Sequence, residues 1–191
     1  MDKIFQIFRA GTHTDMSGRV RTYSETELNN LATSYNATTG TTPLCIGHPV
    51  SNFPAYGRVK SLFVKAGKLY AVGDVWPALL SMVKEGRYKN VSASFTMTAG
   101  VLTGLNHVGF LGAWAPGVRG MDPLEFAEFG EPCPLPGCPP QHQAGAFAVP
   151  AGYTADPSGL KLLALVHEFA TACPELTLSE AVTLASNSLN T

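Results

Sequence analysis

The chain has 191 residues, 45% of them hydrophobic and 14% charged, and its formal net charge is −1. That length carries one domain with a sizeable core plus an appendage. A charge near zero without any basic block leaves electrostatic capture of nucleic acid unsupported, and no apolar run is long enough to cross a bilayer, so neither nucleic acid nor membrane is expected as a partner.

Residues 3–9 (KIFQIFR) read as a first strand. The start of the chain has one early lysine and an apolar stretch interrupted by Gln6 and Arg9, a poor signal peptide, so an intracellular setting is expected. GTHTDMSGRVR follows as a polar loop, in which His13 and Asp15 read as parts of a solvated turn because Thr, Asp, Ser and Gly dominate. SETELNNLATSY opens with Ser24 and Glu27 in capping-box spacing and carries Leu28, Leu31 and Ala32 on one face, the pattern of a helix. PLCI (43–46) is a short apolar run. YGRVKSLFV, the KAGK turn and KLYAVGDVW together predict a hairpin over 56–76. Pro77 suits the first turn of a short helix, PALLSMVKEG, closed by Gly86. VSASF (91–95) and VLTGLNHVGFLG (101–112) read as strands, the second with glycines at positions of bulges or close approaches.

Residues 130–159 are rich in proline and glycine, the composition of an extended linker. Beyond them, LKLLALVHEFATACPELTLSEAVTLA predicts two helices broken at Pro174, the second starting at Thr177 or Ser179. His167 reads as a structural residue of the first helix, whose face of Leu163, Val166 and Ala170 needs a partner. The expected organisation is a domain over 1–129, a linker over 130–159 and a helical tail over 160–191. Cys133 and Cys138, with His142 beyond them, supply only part of a zinc ligand set, whereas Cys45 and Cys173 lie in apolar contexts typical of buried thiols. No metal and no cofactor are expected.

Side chains alternate along a strand, so Val91, Ala93 and Phe95 point one way and Ser92 and Ser94 the other. By itself that is a strand with one half-solvated face. His48, however, follows an apolar strand and is held between Gly47 and Pro49, while alternation puts His107 on a strand face with Leu105 and Gly109. Two histidines and a serine on neighbouring strands make a nucleophile, a base and an orienter. A serine hydroxyl attacks only when a neutral imidazole accepts its proton, and a further group must hold that imidazole in the right tautomer. Structural readings stand beside this: His48 closing a turn and His107 satisfied in the core. Asp74 is a rival orienter, because a carboxylate stabilises an imidazolium better than a neutral ring does.

Through AGTHTDMSGRVRTYSETEL, PLCIGHP, PAYGRVKSL, GRYKNVSASF and LNHVGFLGAWAPGVRGM, in that order, residues 7–129 resemble the phage Mu-type protein I family of capsid maturation proteases. More distantly, S-x-S followed by a strand with H-V and a Gly/Arg loop is similar to herpesvirus assemblins and phage prohead proteases. The resemblance implies an α+β fold, a small β-barrel-like protease core flanked by helices. It implies Ser92 as nucleophile, with Ser94 a supporting neighbour, His48 as general base and His107 as third member. It puts an oxyanion-stabilising loop at GAWAPGVRG (112–120), with Gly117 and Arg119. There the chain departs from the herpesvirus pattern, having Ala115, Pro116 and Gly117 before its arginine. The implied activity is a serine endopeptidase that cleaves scaffold, itself and capsid protein during head maturation. Its implied partners are phage scaffold and major capsid protein, with self-association in the prohead, and its place is the host bacterial cytoplasm, inside the assembling head. The alternative is a catalytically idle scaffold or assembly protein that keeps the fold.

Overall fold

A computed structural model describes residues 2–15, 18–38, 41–49, 54–113, 115–124, 126 and 156–190. They fall into two units, one ending at Phe126 and one holding the C-terminal helices. The first contains β1 (Asp2–Arg9), β2 (Gly11–Thr14), β3 (Val20–Tyr23), α1 (Glu25–Ala37), β4 (Leu44–Ile46), β5 (Gly57–Lys65), β6 (Lys68–Val75), α2 (Pro77–Lys84), β7 (Asn90–Thr98) and β8 (Val101–Leu111).

Strand β1 is buried from Lys3 to Phe8, polar residues included. Gln6 is accommodated by donating to the Phe8 carbonyl at 3.0 Å and accepting from the Asp122 amide at 2.9 Å. The β5–β6 hairpin turns at Ala66 and Gly67, with φ of 50° and 72°, the positive values that tight hairpin turns require. The ladders form three small sheets, ordered β1-β6-β5, β2-β3 and β4-β8-β7. The expected barrel is therefore only approached. Between β4 and β5 the strands are linked by a bridge from Pro43 to Arg58 and by the Tyr56 amide donating to Leu44 at 2.8 Å. On the other side β1 and β7 meet without a ladder. The two three-stranded sheets enclose Phe5, Leu44, Val59, Val91, Val108 and Phe110, and α1 adds Leu28, Leu31 and Tyr35. Each such burial contributes about 1.5–3 kcal/mol before entropy is charged. Phe126 closes this core, its ring 5.8 Å from that of Phe5.

Two local readings need correction. The polar stretch after β1 is a hairpin, β2–β3, and only its tip is a turn, where Asp15 accepts from the Arg19 amide at 3.0 Å and pairs with its guanidinium at 3.1 Å. His13 lies in β2, packed edge-on against Phe8 at 5.2 Å with Nε2 2.9 Å from the Arg9 carbonyl. Threonine-rich segments suit strands, and Thr12 and Thr22 join hydroxyls across the pair. At α1, Ser24 caps the Glu27 amide as expected, but the Glu27 carboxylate is engaged by Arg21 instead of returning to the cap. The reciprocal capping box forms at Thr177 and Glu180 of the second unit.

That unit is a helical hairpin, α3 (Pro157–Ala172) and α4 (Leu178–Leu189). Asp156 caps α3 and Pro157 starts it, so the helix reaches into the stretch read as linker. Val166 and Phe169 are buried, as are Ala181 and Ala185 of α4, while Leu163 stays 41% exposed. The apolar face thus centres on Phe169 and meets α4. Cys45 and Cys173 are buried thiols, and that of Cys173 donates to a Glu175 carboxylate oxygen at 3.5 Å. Cys133, Cys138, His142 and most of the expected linker lie outside the described residues. No described helix is long and apolar enough to cross a membrane.

Candidate active site

Strands β7 and β8 pair antiparallel with Ser92 opposite Gly109 and Ser94 opposite His107. Val91 is buried, and Ala93 and Phe95 pack against the core, leaving both serines half-buried on the other face. Alternation alone placed His107 with Leu105; the structure separates them. The register shifts between Ser94 and Phe95, so that His107 opposes Ser94, Leu105 opposes Phe95, and Asn106 is the extra residue. Such a bulge re-aims side chains. Leu105 enters the core and His107 stands on the serine side.

Strand β4 runs parallel to β8 from Leu44, opposite Val108, to Ile46, opposite Phe110. At Gly47 the chain turns with φ of 67°, its amide donating to the Phe110 carbonyl at 3.0 Å. This corner rides directly over Gly109: a Cβ there would lie 2.3 Å from the Gly47 carbonyl oxygen. A bare glycine opposite Ser92 therefore admits the corner that carries His48. Neither the Gly109 contact nor the Asn106 bulge was assigned from sequence, although glycines in LTGLNHVGF signalled a close approach.

His48 Nδ1 lies 2.8 Å from His107 Nε2, the rings tilted by 66° with centroids 5.1 Å apart. One of these nitrogens carries hydrogen and the other offers a lone pair. Donation from His48 Nδ1 leaves the His48 Nε2 lone pair free, the tautomer a base needs, and requires a neutral His107. Burial, and then the charge of neighbouring His48, lower the His107 pKa below the ordinary imidazole value, which favours that neutral acceptor.

The structure thus joins the two histidines, with Ser94 across from one and Ser92 beside the corner that carries the other. Among the described residues neither serine hydroxyl is hydrogen-bonded to an imidazole. Asp74 belongs to the β1-β6-β5 sheet, opposite Asp2 and Arg58. His107, not Asp74, meets His48. Gly117 and Arg119 lie exposed in the irregular segment after β8, which is tied to β1 where Arg9 donates to the Gly120 carbonyl at 2.8 Å. No group of three His, Cys, Asp or Glu among the described residues is arranged to hold a metal.

No protein-family model and no curated protein matches the chain. Solved structures are similar in part. Kaposi's sarcoma-associated herpesvirus protease in complex with an allosteric inhibitor, compound 250, aligns over 60% of this chain and 71% of that chain, with a TM-score of 0.38 and 12% identity. The same protease with another allosteric inhibitor gives a TM-score of 0.39 and 13% identity over 60% and 71%. In complex with a dimer disruptor it gives 0.38 and 14% over 60% and 72%.

Proposed function

We propose that the chain is a serine endopeptidase of the Ser-His-His type that acts in phage head maturation. The observation that carries this reading is the 2.8 Å contact between His48 Nδ1 and His107 Nε2 on the face shared with two serines. A structural histidine needs no partner that fixes its tautomer; a base does. In the proposed reaction His48 Nε2 accepts the Ser92 proton as Oγ attacks the scissile carbonyl. The resulting imidazolium gives that proton to the leaving amine, and water repeats the cycle on the acyl-enzyme. Ser92 is preferred over Ser94 because it sits opposite Gly109, at the corner bearing the base, whereas Ser94 sits opposite the orienter. Gly117 and Arg119 belong to the segment proposed to stabilise the oxyanion.

A neutral third member stabilises the imidazolium less than a carboxylate, so the isolated enzyme is expected to be slow. Its proposed substrates are scaffold, capsid protein and the chain itself inside the assembling prohead, with the C-terminal hairpin as the scaffold-facing part. Fluorophosphonate labelling tests the chemistry. The probe should attach at Ser92 and fail to attach in Ser92→Ala and His48→Ala. A second reading, an idle assembly protein, is favoured by the absence of a serine–imidazole bond among the described residues. Lack of labelling, together with intact scaffold after mixing, would establish it.

A further inference from the structure

A cleft of about 460 Å³ opens between the C-terminal turn of α1, residues 41–42 before β4, and residues 103–106 of β8. It exists because β4 covers β8 only from Val108 to Phe110, so the preceding part of β8 forms a wall. The size is that of an ordinary ligand cleft. Its chemistry is narrow: apart from Gly104 and Leu105 the lining residues bear hydroxyls or an amide, and among the described residues no charged side chain contributes. Thr42 gives its hydroxyl hydrogen to the Leu105 carbonyl at 2.8 Å, and Thr38 gives its own to the Tyr35 carbonyl at 3.0 Å. With those hydrogens committed, their oxygens present lone pairs to a ligand's N–H or O–H groups. Asn106 accepts the Thr96 hydroxyl through Oδ1, which leaves Nδ2 as the donor for a ligand carbonyl.

Asn106 is also the bulged residue next to His107. Leu105 lies two residues from His107, at most roughly 7 Å at the rise of a regular strand. We infer that this cleft is a peptide subsite that takes an uncharged segment of small polar residues, two or three positions from the bond cut at the histidine pair. The acceptors at Thr38 and Thr42 and the donor at Asn106 suit the N–H and C=O groups of a peptide backbone, and a Lys or Glu side chain would surrender its hydration there without an opposite charge. The position relative to the cut bond rests on the protease reading; the binding itself does not.

The test uses Ser92→Ala protein and amide NMR with three capped hexapeptides, one of alternating alanine and serine and two with lysine or glutamate in place of serine. The serine peptide should shift the Thr41, Thr42 and Thr103–Asn106 amides, with at least tenfold weaker binding of the charged peptides. Ser34→Trp, at an exposed helical position, fills the cleft and should remove the shifts while the far-UV spectrum stays native. In the chain with Ser92 intact it should raise KM for substrates carrying such a segment at least tenfold. No shift at these amides, or equal shifts from all three peptides, would overturn the subsite even if labelling and scaffold cleavage are found. Selective shifts in a chain that neither labels nor cleaves would support the cleft and remove the protease.

Discussion

At the scale of single residues the two serines are separable. Ser92→Ala should abolish scaffold cleavage with the fold intact, and Ser94→Ala should only weaken it. A dead Ser94→Ala beside an active Ser92→Ala would reverse the assignment. His48→Ala should lose on the order of 10⁴-fold in activity, because members of such a unit fail together. His107→Ala should lose less, since in the proposed mechanism it orients the base without carrying the proton; equal losses would make it more than an orienter. The same residue sets a pH dependence of stability. Burial, then His48, depress the folded pKa of His107, so the unfolded chain takes up this proton at the higher pH. The stabilisation is complete above the unfolded value of about 6.5 and is lost as pH falls through the folded one. Melting temperature should therefore drop between pH 7 and 5, and drop less in His107→Gln.

Among the elements, the β4–β8 corner decides whether the imidazoles meet. Gly109→Ala would place a methyl carbon against the Gly47 carbonyl, and backbone cannot yield as a flexible side chain does. The expected cost is about 1–3 kcal/mol by the usual scale of overpacking. The sharper expectation is functional: the corner lifts, the His48–His107 contact opens, and the downfield imidazole N–H resonance of that pair disappears. Retention of that resonance and of cleavage in Gly109→Ala would show that the corner tolerates a side chain. The bulge at Asn106 acts alongside it. Were Asn106 paired as a regular strand residue, alternation would return Leu105 and His107 to one face and either expose the leucine or bury the imidazole.

For the whole molecule, the proposed function assigns cleavage to the first of the two units and recruitment of scaffold to the second. Phe126 packs on Phe5 and Phe110, so a chain ending near residue 130 keeps the first core whole. Such a truncation should retain peptide hydrolysis and lose scaffold cleavage, because tethering supplies an effective substrate concentration of about millimolar. Equal scaffold cleavage by both forms would show that the hairpin recruits nothing. What the sequence by itself determined is what local physics encodes. Apolar alternation marked the long strands, proline and glycine marked the turns, and Ser24 and Pro77 marked helix starts. His48, Ser92, Ser94 and His107 stood out because two histidines and a serine on neighbouring strands can make a nucleophile, a base and an orienter, and because the resemblance gave them those roles. Tertiary structure alone decided which of them meet. A one-residue bulge changes the face of everything beyond it, and a 2.3 Å approach at Gly109 depends on two strands distant in sequence. Neither leaves a periodic trace. Asp74 likewise looks available in sequence and is taken by the other sheet, since a carboxylate's partner is set by which strands pair and not by its neighbours along the chain.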